Sequence, residues 1–177
     1  MDLYAERGFD QTTVADIAAR AGLTERTFFR HFADKREVLF AGSARLQELM
    51  VAAVRRAPPS TPAIEAVAAG VAAAATVLTD HQFSRQRQTL IESNPVLQER
   101  ELIKMARLVA AFTSALRERD VAEPWASLTA EAGIAVFRVA FERWVKGAGD
   151  HTLAEMILEG FGVLRTIVAD PTPRDRS

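Results

Sequence analysis

The 177-residue sequence contains no cysteine, which excludes a disulfide framework and a thiolate metal site. Its three histidines, His31, His81 and His151, are isolated and lack the spacing of metal ligands. It also lacks a glycine-rich phosphate loop and a nucleophile-elbow motif. Because nothing in the sequence pairs a nucleophile with a base, we expect a protein that is not an enzyme and that carries no metal or cofactor.

Long apolar runs are also missing. No stretch of 18 apolar residues is present, so we expect no membrane span. The N-terminus lacks the basic segment and apolar core of a secretory signal. The composition, 49% hydrophobic and 25% charged, is ordinary for a soluble globular protein. We therefore expect a cytoplasmic location.

No strand pattern and no internal repeat are visible, whereas helical periodicity runs through most of the chain. The sequence therefore predicts an all-α fold. Asp34 and Glu37 have capping-box spacing and predict one long helix from Lys35 to about Arg56. Three prolines between Ala57 and Pro62 then mark a boundary, although the long helix before it belongs partly to both domains. We expect a head at 1–45, a body at 46–170 and a flexible tail at 171–177.

Two short helices around a tight turn are predicted between Thr13 and Phe32. Thr13 and Asp16 have the spacing of a capping box, and Thr24 can cap the second helix. Gly22 can adopt the positive φ that ends the first. Such a corner is typical of a helix-turn-helix, whose second helix enters the DNA major groove. The alternative is an ordinary capped corner in a small helical protein.

The charge of this segment favours DNA. The whole chain has a net charge of −1, which argues against a nonspecific nucleic-acid binder. The stretch from Arg20 to Arg36, however, holds five basic residues and two acidic ones. Because DNA affinity depends on which cations reach phosphates, a local positive patch is sufficient.

The residues of the second helix can be assigned to DNA contacts by type. Arg26 could donate to guanine N7 and O6, and Glu25 could accept from cytosine N4. Phosphate contacts are expected from Thr13, Thr24, His31 and Lys35. His31 could instead only cap the helix end, and Lys35 could be a solvated lysine. The predicted DNA-binding set is Thr13, Thr24, Glu25, Arg26, Thr27, Phe28, Phe29, Arg30, His31 and Lys35.

The stretch GFDQTTVADIAARAGLTERTFFRHFADKREVLF, residues 8–40, resembles the N-terminal domain of the TetR family of transcriptional regulators. The resemblance implies a helix-turn-helix head and a helical body that binds an effector and dimerises. It also implies a longer first helix, so we expect further residues upstream. One departure is Phe29, where the family usually has a tyrosine whose hydroxyl contacts a phosphate.

Dimerisation is expected through the last two helices, which the resemblance implies form a four-helix bundle with their mates. One monomer reads few bases, so a homodimer on a pseudo-palindromic operator is expected. The alternative is that both apolar faces are intramolecular core. The predicted interface residues are Val136, Val139, Ala140, Leu153, Ile157, Gly160 and Leu164.

An effector pocket is expected among the middle helices. Its aromatic and aliphatic side chains indicate a small hydrophobic effector, and the segment PVLQERELIKMARLVAAF resembles regulators of acyl-CoA-like ligands. For each of these residues, the alternative is plain core packing. For the protein, the alternative is a DNA-binding dimer that has no effector and whose body serves as a platform for a partner. The predicted pocket residues are Phe83, Arg87, Leu90, Ile91, Leu102, Met105, Val109, Phe112, Phe137, Phe141 and Trp144.

Overall fold

A computed structural model of the chain describes residues 2–147 and 150–169. These residues form helices and connecting turns without a strand, which confirms the all-α prediction. The predicted tail at 171–177 lies outside the described residues. The helices are α1 (Asp2–Gln11), α2 (Val14–Arg20), α3 (Glu25–His31), α4 (Lys35–Leu39), α5 (Ser43–Arg56), α6 (Ala63–Ala74), α7 (His81–Glu92), α8 (Pro95–Arg117), α9 (Trp125–Lys146) and α10 (Leu153–Ala169).

The caps predicted at the helix-turn-helix are present. The Thr13 hydroxyl accepts a hydrogen bond from the Asp16 backbone N–H at 3.1 Å, and the Asp16 carboxylate accepts from the Thr13 N–H at 2.9 Å. Thr24 caps α3 by accepting from the Thr27 N–H at 3.2 Å. Ala18 is buried where α2 packs against α3. Local capping therefore fixes both ends of the corner.

The long helix predicted from Lys35 to Arg56 is wrong. The first part, α4, ends at Leu39, and α5 begins at Ser43. Between them, Gly42 has φ 83°, which an L-residue with a side chain adopts only at a cost. Phe40 is buried in a core at this bend. We call residues 39–43 the elbow.

The main core lies between α5, α6, α8, α9 and α10. Its centre consists of large side chains without solvent exposure, including Met50, Phe112 and Leu116. The small residues of α6 and α9 let these two helices pack closely. A Cβ added at Gly133 would lie 2.1 Å from Cγ1 of Val67, so only glycine fits at this crossing.

A second core connects the head to the body. The head contributes Tyr4, Phe9, Leu39 and Phe40 to this core, and the body contributes Ile91 and Leu97. Because apolar packing crosses the predicted boundary at residue 45, the orientation of the head depends on α7 and α8 as well as on α5. None of the helices in the described ranges is long and apolar enough to cross a membrane.

Candidate DNA interface and effector cavity

The outward face of α3 presents side chains of mixed chemistry. Glu25, Arg26, Phe29 and Arg30 are exposed on this helix. The side-chain hydrogen bonds found at α3 in the described part of the chain involve Thr24, Thr27, Arg30 and His31, and leave Glu25 and Arg26 unpaired. Unpaired, exposed donors and acceptors on a helix of this motif are available to base edges in the major groove.

The two threonines predicted to contact phosphate serve as helix caps. The Thr13 hydroxyl also donates to the Asp16 carboxylate at 2.6 Å, and these hydrogen bonds from Thr13 hold the pKa of Asp16 below its ordinary value. The Thr24 and Thr27 hydroxyls lie 3.1 Å apart. All three side chains remain at or near the surface. Their phosphate contacts stay a prediction, whereas their local structural role is observed.

The assignment of Phe28 to the DNA contacts is wrong. Its side chain is only 3% exposed, and its ring packs against Phe29 and Phe32, with centroids 5.5 and 5.3 Å away. Phe28 belongs to the inward face of α3, one position away from the exposed Phe29. A buried ring in the head cannot contact a base.

The ammonium group of Lys35 is turned into the head rather than towards solvent. It donates to the backbone carbonyls of Phe9, Asp10 and Thr12 at 2.8, 3.2 and 3.0 Å. It also lies 4.4 Å from the centroid of the Phe9 ring. In this arrangement the Lys35 side chain holds the end of α1 against α4, and its charge does not reach a phosphate.

Tyr4 completes this contact from the opposite direction. Its hydroxyl donates to the Lys35 carbonyl at 2.7 Å. Burial, together with the nearby negative charge of Asp34, raises the pKa of Tyr4 to about 12. The phenol is therefore a neutral donor at any physiological pH, and it stabilises the α1–α4 contact.

Fewer cations are available near α3 than the five basic residues between Arg20 and Arg36 suggest. Arg20 pairs with Glu6 at 3.0 Å, and Arg36 donates to the Asp34 carboxylate from Nε at 2.8 Å. With Lys35 also engaged, Arg26 and Arg30 are the two cations of this stretch that extend from α3 towards solvent. The exposed His31 lies beside Arg30, with 3.5 Å between Nη2 and Nε2.

A cavity of about 320 Å³ opens beside the elbow. Five of the predicted effector residues line it, namely Phe83, Arg87, Met105, Phe137 and Phe141. The other six do not line it. Leu90 and Ile91 pack in the second core, Leu102 is 64% exposed, and the remaining three pack in or against the main core: Val109, Phe112 and Trp144.

The sequence did not predict that the elbow lines this cavity. Leu39, Phe40 and Ser43 line it together with Glu101 and Lys104 of α8. A signal for the α8 residues was present. Leu97, Glu101, Lys104 and Leu108 recur every three or four positions, so two charged side chains interrupt an otherwise buried stripe.

Two cations hold the elbow against the body. Arg87 donates to the Leu39 carbonyl at 2.8 Å and to the Glu101 carboxylate at 3.0 Å. Lys104 lies 3.0 Å from the Ser43 hydroxyl, and both cations lie over the Phe40 ring, 4.9 and 5.3 Å from its centroid. Because these groups also line the cavity, a molecule entering it meets the contacts that fix the elbow.

The contact between head and body has a further ionic part. Glu37 of α4 accepts from Arg100 Nε at 2.7 Å and lies 3.7 Å from the Lys104 ammonium. A second cavity of about 330 Å³ adjoins the first and shares Ser43, Leu46 and Lys104 with it. Lys104 therefore contacts α4 through Glu37 and the elbow through Ser43, and it lines both cavities.

Two family models match the chain. The model described as bacterial regulatory proteins of the tetR family matches residues 1–41, and the model of the MftR C-terminal domain matches residues 61–169. The second match alone covers more than half of the chain. The chain belongs to the TetR family of transcriptional regulators. Its members are DNA-binding regulators rather than enzymes, which settles the expectation of a non-enzymatic protein.

Relatives of this TetR-family chain differ in coverage. It is 26% identical over 182 residues to the transcriptional repressor BepR of Brucella suis biovar 1 (strain 1330), covering 94% of this chain and 85% of BepR. It is 34% identical over 67 residues to the transcriptional regulator TcmR of Streptomyces glaucescens, covering 38% of this chain and 30% of TcmR. The TetR-family regulator PfmR of Thermus thermophilus has the same fold, with a TM-score of 0.51, 24% identity and 93% of each chain covered.

Of the seven predicted dimer residues of this TetR-family chain, six pack at least partly within one protomer and Val139 is exposed. Val136, Ala140, Leu153 and Ile157 are buried within one protomer, so their assignment to an interface is wrong. They belong to the main core, in which α9 packs against α10. Gly160 belongs to the same contact, since a Cβ added there would lie 2.8 Å from Cγ1 of Val136. Leu164 is half-buried against the main core.

An apolar surface that includes Val139 is exposed on these two helices. Val139 is 51% exposed and continues a stripe of α9 at spacings of three and four. Arg143 of α9 pairs with Glu159 of α10 at 3.1 Å, which places Val163, one turn later, beside this stripe. We call this surface the outer face and define it by Leu128, Ala132, Ala135, Val139, Val163 and Ile167.

Proposed function

We propose that this chain is a ligand-responsive repressor in the cytoplasm that acts as a homodimer on a pseudo-palindromic operator. The observation that carries the proposal is the exposed face of α3, where Glu25 and Arg26 are unpaired among the described residues. A guanidinium can donate two hydrogen bonds to guanine, and a carboxylate can accept one from cytosine. These few groups specify too few base pairs unless a second head reads a second half-site.

The outer face supports a second copy of the chain as the partner. Val139 and Val163 expose apolar surface on adjacent helices, and a stripe at spacings of three and four suits packing against another helix. A two-fold axis through this face would produce a bundle of four helices. Symmetric pairing would also present two recognition helices to the same side of DNA.

The cavity beside the elbow supports a response to an effector. A bound molecule would contact Phe83, Phe137 and Phe141, and it would also meet Arg87 and Lys104, which hold the elbow. If it displaced either cation from the elbow, it would favour a different orientation of the head. Half-sites on one face of DNA lie about 34–36 Å apart, so a shift of a few ångströms would prevent both heads from docking.

The alternative is a DNA-binding dimer without an effector. That protein would need no open space beside the elbow, and the two adjoining cavities of about 320 and 330 Å³ favour the effector model instead. The lining of the cavity beside the elbow includes four phenylalanines and several aliphatic side chains, which supports a small hydrophobic effector. An acyl-CoA-like molecule remains one proposed member of that class.

The proposal is tested by selecting fragments of genomic DNA with the purified protein and sequencing those retained. The expected result is enrichment of one inverted repeat. The Arg26→Ala variant serves as the control, because it keeps the fold and removes one base-reading side chain. Retention of fragments without a shared repeat at moderate salt would contradict the proposal.

A further inference from the structure

Phe29 is a large apolar side chain on the exposed face of α3. Its side chain is 55% exposed, although it is a large aromatic in the middle of a short helix. Its ring packs edge-on against the buried Phe28 at 5.5 Å, which leaves the outer part uncovered. A large ring held on one side and open on the other is rigid enough to contact a partner.

The position of Phe29 places it among the base-reading side chains. It follows Arg26 by three residues and Glu25 by four, so the three side chains lie on one face of the helix. Phe29 has no hydroxyl and cannot hydrogen-bond to a phosphate. In the major groove, the apolar group that carries sequence information is the C5-methyl group of thymine.

We propose that Phe29 reads thymine, by packing its ring against a C5-methyl group next to the base pair that Arg26 contacts. This inference rests on the proposed function, because it needs an operator in the major groove. It assigns to Phe29 a direct role in specificity. Arg20 and Arg36 are paired with carboxylates, which leaves few cations near α3 to bind phosphate. Base contacts such as that of Phe29 would then contribute a larger share of the binding free energy.

The test replaces thymine with deoxyuridine, one position at a time and in both half-sites, within the inverted repeat obtained by selection. This change removes one methyl group and leaves every base-pair hydrogen bond intact. The wild-type protein is expected to lose affinity by about fourfold per half-site at one position, as for the loss of one buried methyl group. The Phe29→Ala variant is expected to bind the thymine and deoxyuridine operators equally at that position.

Two further variants make the outcome specific. Phe29→Leu keeps an apolar side chain and should retain part of the sensitivity to the methyl group. Arg30→Ala, the matched control on the same exposed face, should weaken binding and leave the methyl sensitivity unchanged. Melting curves establish that each variant folds, which the exposure of both side chains favours.

The outcomes separate this inference from the proposed function. If no inverted repeat is selected, the proposed function fails and the methyl test has no substrate. If a repeat is selected and deoxyuridine has no effect at any position, the role of Phe29 is overturned. It is also overturned if Phe29→Ala weakens binding uniformly and keeps the methyl sensitivity, which is the result expected for packing against deoxyribose.

Discussion

At the scale of single residues, Arg26 and Lys35 are two cations of one small head with different surroundings. Arg26 extends from α3 into solvent, whereas the Lys35 ammonium donates to three backbone carbonyls. Sequence alone gives each residue a charge and a place on a helix. It does not show that the end of α1 lies within reach of Lys35, because that contact depends on tertiary packing.

Replacing Arg26 with alanine should relax base preference at one position of each half-site. Loss of a bidentate contact to guanine costs about 1–3 kcal/mol of discrimination. Competition binding between the selected operator and single-base variants measures this preference. Arg45→Ala, which removes an exposed arginine of α5, is the control. Unchanged preference in Arg26→Ala would remove Arg26 from the base-reading residues.

Replacing Lys35 with methionine should destabilise the protein by about 1–3 kcal/mol, since it leaves three carbonyls at the end of α1 without their donor. Urea unfolding gives the free energy of unfolding, and Arg30→Met serves as an exposed control. The salt dependence of DNA binding should stay the same. A flatter salt dependence together with unchanged stability would instead identify Lys35 as a phosphate contact.

At the scale of helices, the starts of α2, α3 and α4 could be predicted because capping is local. Thr13, Thr24 and Asp34 each accept hydrogen bonds from backbone N–H groups two or three residues ahead, and the sequence shows all the partners. The break at Gly42 could not be predicted in the same way. Apolar periodicity continues across it from Val38 to Leu46, and one glycine does not interrupt that pattern.

The elbow leads to a prediction about Gly42. An alanine there would cost about 1–2 kcal/mol in the observed conformation, and it would favour one continuous helix from α4 to α5. We expect Gly42→Ala to turn the head, to weaken operator binding and to reduce any response to an effector. Equilibrium binding to the selected operator measures the first effect.

Gly42→Asn is the matched control, because asparagine tolerates positive φ better than alanine does. It should retain more operator affinity than Gly42→Ala. Equal affinity in the wild type and in both variants would mean that the elbow does not set the orientation of the head.

At the scale of the whole molecule, periodicity showed that α9 and α10 carry apolar surface, but not which neighbour covers it. Val136 and Ile157 are buried within one protomer, whereas Val139, three residues after Val136, is exposed. The choice between these faces depends on how α6, α8 and α10 pack around α9. Most of the predicted interface residues therefore lie on the buried faces of α9 and α10 rather than on the exposed outer face.

A charge on the outer face should separate the proposed dimer. We expect Val139→Glu to sediment as a monomer, to keep its helical circular dichroism and to lose operator affinity. Leu102→Glu places the same charge at a similarly exposed position of α8 and should remain dimeric. If Val139→Glu remained a dimer with full affinity, the outer face would not be the interface.

The most direct test of a two-headed DNA reader is the spacing of its half-sites. Operator affinity is measured for the selected repeat and for a version with five base pairs inserted between its halves, about half a turn of DNA. The account predicts that the insertion removes nearly all specific binding, because the second half-site then lies on the opposite face. Equal affinity for both operators would contradict it, since it would show that each head binds DNA independently.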